Sequence, residues 1–216
     1  MQFNLVSIVT DEKSWLNQYV DDFILKLHPL CKKVLWCHSV DNIQKSDVTF
    51  YLSFSRIVPK KYLMLNKHNL VVHGSALPEG KGWSPMTWQI LAGQNKIPMT
   101  LFEANEALDS GQIYLQETMQ FEGHELIDEL RSIQAKCTFD LCYSFIKNYN
   151  EVVKQARQQV GESSFYKKRN KADSQLNMEK TLSELFNIFR VVDNEKYPAF
   201  FEHLDHTYLL KIEKLR

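Results

Sequence analysis

His73 and Asp109 are the two side chains whose type and setting best suit the movement of a proton. His73 ends a run of branched apolar residues, Leu70-Val71-Val72. An imidazole is the side chain whose ordinary pKa lies nearest neutrality. Asp109 follows the next apolar run, residues 99–102, in the turn Asp109-Ser110-Gly111. A carboxylate beside an imidazole orients the ring and favours its charged form. The two positions lie 36 residues apart, so only a folded sheet can unite them. Between them come a small-residue turn, Gly74-Ser75-Ala76-Leu77-Pro78, and a loop, Gly80-Lys81-Gly82. A cation between glycines suits a phosphate or an anionic cofactor tail; a solvated loop lysine explains Lys81 about as well. Trp83 and Trp88 flank the loop and could stack on a ring, with helix-face packing the better expectation for Trp88.

The elements that must bring these groups together alternate along the chain. Residues 3–10 read as a buried strand, and residues 14–27 carry apolar side chains at helical spacing. Residues 34–37 and 48–54 read as strands, with a turn or short helix between them. A helical turn over 60–65 feeds the strand that ends on His73. A helix over 83–93 is closed by Gly93, and strands over 99–102 and 113–121 bracket the Asp109 turn. A long helix starts at His124 or Glu125 and runs to about Tyr149. Alternating strands and helices predict an α/β fold with a parallel, doubly wound sheet, which delivers polar residues at its strand ends. The dinucleotide fingerprint Gly-x-Gly-x-x-Gly is missing after the first strand, so NAD is not expected. Residues 1–160 are expected to form the catalytic domain. Residues 161–216 are expected to hold a polar connector and a small extension: a helix over 178–192 and a hairpin from 199–201 and 208–212.

The ordered set His73, Ser75, Leu77, Pro78, Lys81, Gly82, Pro85, Gly93, Thr100, Asp109 and Gly111 resembles the formyltransferases that use 10-formyltetrahydrofolate. The resemblance implies an open, mostly parallel formyltransferase-type sheet with helices on both faces. It implies that His73 handles the proton of an attacking amine and that Asp109 is its partner. In the family an asparagine two residues before the histidine donates to the oxyanion; here that position is Val71. Asn69 shares its strand face but sits about 6.6 Å deeper along an extended strand, and is the candidate side-chain donor. A backbone N–H near Gly74 and a solvent molecule are the other candidates. The family's pterin walls correspond to Ile57 and Val58 on one side and to Leu101, Glu103, Leu108 and Asp109 on the other. Ser75, Lys81 and Trp83 correspond to substrate contacts.

The C-terminal stretch adds a second resemblance. Phe165-Tyr166-Lys167-Lys168-Arg169 with Asp173 resembles the connector of formyltransferases that act on amino sugars. Arg190-Val191-Val192-Asp193 and Tyr197-Pro198-Ala199-Phe200 resemble their later element, which closes the cleft over a nucleotide-linked sugar. Arg190, Tyr197 and Phe200 are therefore expected at the substrate, where aromatic rings stack on a base and cations meet a diphosphate; packing within a small subdomain is an equal reading for the two rings.

Composition narrows the partners. Lys+Arg 26 balance Asp+Glu 26, which argues against a partner held by phosphate neutralisation, such as tRNA or duplex DNA. The four cysteines fit neither a zinc site nor a redox pair and read as free thiols; no metal is expected. With no leader-like start and no long apolar span, the expected location is the cytoplasm, without membrane contact. The two resemblances imply formyl transfer from 10-formyltetrahydrofolate to the amine of a UDP- or dTDP-linked amino-deoxy sugar, as used in bacterial surface polysaccharides. The alternatives are a methionyl-tRNA formyltransferase-like enzyme and a non-catalytic folate- or nucleotide-binding module, the latter motivated by Val71. An apolar hairpin near Phe200 and Phe201 offers a surface that could pair two chains as a homodimer.

Overall fold

The structure, a computed structural model, describes residues 3–215. Positions 1, 2 and 216, which close the two expected units, lie outside the described residues. The strands are β1 (Phe3–Val9), β2 (Cys31–Cys37), β3 (Val48–Tyr51), β4 (His68–His73), β5 (Lys81–Gly82), β6 (Lys96–Glu103), β7 (Ile113–Gln120), β8 (Phe165–Tyr166), β9 (Ala199–His203) and β10 (His206–Leu210). The helices are α1 (Val20–Leu27), α2 (Lys60–Leu63), α3 (Pro85–Leu91), α4 (Ile127–Lys147), α5 (Tyr149–Lys154) and α6 (Leu182–Val191). Six strands form the main sheet in the order β2-β1-β3-β4-β6-β7.

β2, β1, β3 and β4 run parallel, but β6 is antiparallel to both β4 and β7. The sheet is thus mostly parallel, as the resemblance implies, with β6 the one strand that runs against the others. The connection from β4 to β6, residues 74–95, carries β5 and the seven-residue α3. The chain re-enters at the end where β4 finished, and β6 runs the other way.

The period of two along each strand decides what reaches the site. Val6 and Ile8, Phe50, Leu70, Met99 and Leu101 turn to one face and pack against Val20, Phe23 and Leu27 of α1 and Leu130, Phe139 and Phe145 of α4. The opposite face holds a smaller cluster of Val9, Cys37, Val40, Ile43, Tyr51 and Val58, with Val71 packed against it. Asn69, Val71 and His73 therefore share the face that the long helices do not cover.

Helix ends depart from the sequence expectation where capping chemistry intervenes. Residues 14–27 split into a 3-10 turn, Trp15–Tyr19, and α1; Ser14 Oγ accepts from the Leu16 N–H. The last helix begins at Leu182, because Thr181 and Glu184 form a capping box. That unit is tied to the sheet by Arg131 Nη2 on α4, 2.9 Å from Asp193 Oδ2. No helix among the described residues is long and apolar enough to cross a membrane.

Candidate active site

His73 stands at the carboxyl end of β4, opposite Thr100 of β6, with its side chain 9% exposed. Its Nε2 lies 2.8 Å from the Gly80 carbonyl and 3.9 Å from Asp109 Oδ2. A carbonyl can only accept, so this geometry places the proton on Nε2 of the neutral ring and leaves the Nδ1 lone pair free. Among the described residues Nδ1 has no hydrogen-bond partner. The site thus holds a ring with one nitrogen committed as a donor and the other able to take a proton.

Asp109 reaches this position through strained backbone. Its φ is +47°, in the left-handed region that few non-glycine residues occupy. Its Oδ2 accepts the Gly82 N–H at 2.9 Å, so the carboxylate bridges the glycine loop and the imidazole. Two residues on, a Cβ at Gly111 would stand 1.7 Å from the Glu103 carbonyl; only glycine lets the turn press against β6. Gly82 has φ +93°, and a Cβ there would stand 2.6 Å from the Tyr166 carbonyl.

That carbonyl belongs to β8, which pairs in parallel with β5. The segment expected as a connector therefore lies against the loop beside His73. Lys81 is only 8% exposed, with its ammonium 5.9 Å from the centre of the Phe165 ring. Lys168 Nζ lies 4.8 Å over the half-exposed Trp83 ring. Trp88 stacks near-parallel on Tyr166 and donates from Nε1 to the Lys167 carbonyl at 2.9 Å.

A cavity of about 460 Å³ opens between α2 and the loop that leads to Asp109, lined by Lys60, Leu63, Ala104, Asn105, Glu106 and Ala107. It is wide open to solvent, a shallow depression rather than an enclosed pocket. The alanines, the Leu63 methyls and the Lys60 stem suit the face of a flat ring, and Asn105 and Glu106 supply polar edges. Lys60 Nζ and Glu106 Oε1 meet at 2.8 Å across it. A second cavity, of about 380 Å³, is lined by Asn4, Leu5, Lys45, Ser46, Asp47 and residues 64–67. It lies at the amino ends of the parallel strands, away from His73.

Several expected site residues stand elsewhere than at this pair. Asn69 is tied down behind the pair: Nδ2 donates one proton to the Leu63 carbonyl at 2.9 Å, and Oδ1 accepts from Asn66 Nδ2 at 2.9 Å and Tyr51 OH at 3.2 Å. It fixes the approach to β4 instead. Val71 packs on Leu77, Phe102 and Ile113, an apolar floor beneath the pair. Glu103 is a structural acceptor, taking the Asn69 N–H at 2.6 Å and the Tyr114 hydroxyl at 2.8 Å, with His68 Nδ1 at 3.2 Å. Leu101 is fully enclosed in the core, Val58 is buried, and Ile57 and Leu108 face solvent.

Ser75 is buried; its carbonyl accepts from Thr100 Oγ1 at 2.6 Å, and its own hydroxyl is sealed with no partner. Arg190, expected at a diphosphate, is 1% exposed and pairs with Glu125 at 3.0 Å while Nη1 donates to Asn95 Oδ1 at 2.8 Å. The amphipathic turn of α6 points it inward, where it joins the C-terminal unit to the sheet. Burial alone would raise the Glu125 carboxyl. The backbone N–H groups of Glu122, Glu125 and Gly123, with the Arg190 guanidinium, outweigh it and hold the group below its ordinary value. Phe200 is buried under the Lys171 ammonium at 5.2 Å, whereas Tyr197 is 47% exposed.

The reading from sequence missed four groups: the Gly80 carbonyl, the Gly82 N–H, Gln159 and Ser164. The first two are backbone and carry no residue signature beyond glycine itself. The other two are polar residues in a polar stretch, and only the chain path shows what they hold.

Comparison with known proteins bears on the family and the fold. Residues 38–139, just under half of the chain, match the family described as Formyl transferase (Formyl_trans_N). A methionyl-tRNA formyltransferase of Caldicellulosiruptor saccharolyticus is 25% identical over 156 residues, 72% of this chain and 49% of the relative. The chain spans about half the length of the first curated relatives it matches. Among solved structures, methionyl-tRNA formyltransferase from Clostridium thermocellum superposes with a TM-score of 0.81 at 18% identity, covering 99% of this chain and 94% of that one. Rv3404c of Mycobacterium tuberculosis, described as a likely sugar N-formyltransferase, gives 0.71 at 13% identity and covers 100% of both chains. HypX from Aquifex aeolicus, in complex with tetrahydrofolic acid, gives 0.76 at 15% identity, covering 98% of this chain and 38% of that one. Over residues 38–139, then, the chain matches the Formyl transferase family, and through its described length it has the formyltransferase fold.

Proposed function

We propose that this protein transfers a formyl group from 10-formyltetrahydrofolate to the amine of a nucleotide-linked amino-deoxy sugar. The observation that carries the reading is the His73–Asp109 pair at 3.9 Å, joined by one short loop to the cavity between α2 and residues 104–107. The cavity would hold the pterin; 10-formyltetrahydrofolate supplies the activated formyl carbon when bound. The amine would attack that carbon, and His73 Nδ1 would take the proton the amine loses; the bond from the formyl carbon to the folate nitrogen then breaks, and tetrahydrofolate leaves with that proton on its nitrogen. The imidazolium formed in between keeps its Nε2–H on the Gly80 carbonyl, beside the Asp109 charge. With Val71 apolar and Asn69 held two residues deeper by Leu63, Asn66 and Tyr51, the oxyanion donor falls to a backbone N–H near Gly74 or to the charged ring itself.

The sugar nucleotide is supported by the buried cation and half-exposed ring at Lys81 and Trp83, by the adjoining Lys168, and by the open Tyr197. The formal charge of zero weighs against a tRNA surface. The second reading, a methionyl-tRNA formyltransferase-like enzyme, is favoured by the names of the curated relatives. An assay with 10-formyltetrahydrofolate separates the two: formylation of a UDP- or dTDP-linked amino sugar is the expected result. Formylation of initiator methionyl-tRNA would overturn the choice, and folate or nucleotide binding without turnover would make the chain a binding module.

A further inference from the structure

The stretch 157–166, leaving α5, crosses both halves of the His73–Asp109 site. Arg157 and Ile113 exchange backbone hydrogen bonds of 2.9 and 2.7 Å, which fixes where the crossing starts. Two residues later Gln159 Nε2 donates to the Asp109 carbonyl at 3.0 Å and to the Gly111 carbonyl at 2.9 Å. Ser164 Oγ then accepts the Gly80 N–H at 2.8 Å, and the Ser164 carbonyl accepts the Lys81 N–H at 2.9 Å. The Tyr166 carbonyl accepts from Trp83 at 3.1 Å.

The primary amide of Gln159 has two protons, and both go to the carbonyls that flank Ser110. Those carbonyls bracket the turn whose aspartate must hold φ at +47°, a conformation that few non-glycine residues adopt. The Gln159 Oε1 is buried with no partner, so the side chain is kept in place at a polar cost rather than for its own satisfaction. A flexible hydrocarbon would fill the same space without that cost. What it would lack is the double donor.

We propose that Gln159 is a positioning residue: it clamps the Asp109–Gly111 turn so that the carboxylate stands 3.9 Å from His73 Nε2. This role rests on the reading of that pair as the proton-handling centre. Ser164 does the equivalent for the Gly80 carbonyl, so one passing segment sets both partners of the imidazole.

The test compares Gln159→Met, which keeps the length and loses both donors, with Gln159→Glu, which also sets an oxygen against two carbonyl oxygens. Steady-state formyl transfer, the ring ¹⁵N shifts of His73 and thermal unfolding are measured on the full chain. The expected result is a kcat about 10- to 100-fold lower in Gln159→Met, lower still in Gln159→Glu. KM for both substrates should stay within about threefold, and the His73 ring shifts should move from their wild-type values. A folded Gln159→Met protein with wild-type kcat and wild-type ring shifts overturns the proposal. If the wild-type chain transfers no formyl group while Gln159→Met still moves the ring shifts, the reaction falls and the positioning role stands. Should Gln159→Met fail to fold, Gln159→Asn, polar but too short to span both carbonyls, carries the same two outcomes.

Discussion

Replacing Asp109 by asparagine isolates the charge of the carboxylate from its shape. Asn keeps an oxygen for the Gly82 N–H, which Asp109 now accepts at 2.9 Å. Asn is also among the residues that best tolerate a φ of +47°. The substitution removes one negative charge 3.9 Å from the nitrogen that becomes part of an imidazolium during amine attack. At an effective dielectric of about 20, unit charges at that distance interact by about 4 kcal/mol. The pair faces a cleft, so solvent reduces this to about 2–4 kcal/mol. At 1.36 kcal/mol per factor of ten, turnover should fall about 30- to 1,000-fold. The assay is steady-state formylation of an amino-sugar nucleotide with 10-formyltetrahydrofolate, with thermal unfolding as the control. A folded Asp109→Asn protein within about threefold of wild-type turnover would refute the claim that this carboxylate stabilises the charged ring.

Other expectations concern neighbouring features of the structure. His73→Ala should abolish the free Nδ1 acceptor and lower turnover at least as far as Asp109→Asn, with little change in the folate dissociation constant measured by titration. Arg190→Met strands Glu125 in a buried setting, and loss of one partner from such a pair costs about 3–5 kcal/mol, read from urea unfolding. Acid acts on the same pair: the Glu125 carboxyl is held below its unfolded value, so its contribution is present above the ordinary glutamate range. That contribution is lost as pH falls through the lower folded value, and an acid titration of stability shows it. Gly82→Ala forces a Cβ to within 2.6 Å of the Tyr166 carbonyl, so β5 and β8 should separate, with faster hydrogen exchange at the Lys81 and Trp83 amides. Tyr197→Ala removes a half-exposed ring and should raise KM for the sugar nucleotide while leaving the melting temperature within a few degrees.

His73 and Asp109 were legible because their signals are local. A histidine that ends an apolar run, and an Asp-Ser-Gly turn after the next run, mark strand ends wherever the strands later pair. Face assignment was legible for the same reason: the two-residue period alone puts His73, Val71 and Asn69 together. Arg190 and Asn69 show where local reading stops. Each is a polar residue in a suggestive motif, yet each is consumed by partners far along the chain or beyond its own strand: Glu125 and Asn95 for one, Leu63 and Asn66 for the other. No pattern in the sequence distinguishes an arginine aimed at a diphosphate from one aimed at a buried glutamate.

Amino-acid order by itself determined the alternation of elements, the apolar face of each strand and the identity of the imidazole and carboxylate. These follow from side-chain period and turn chemistry, which act over a few residues. Tertiary structure alone decided the reversed direction of β6, the return of residues 157–166 over the site, and the commitment of His73 Nε2 to a glycine carbonyl. Those depend on backbone groups meeting across long chain separations, and a backbone N–H or C=O is the same chemical group at almost every position.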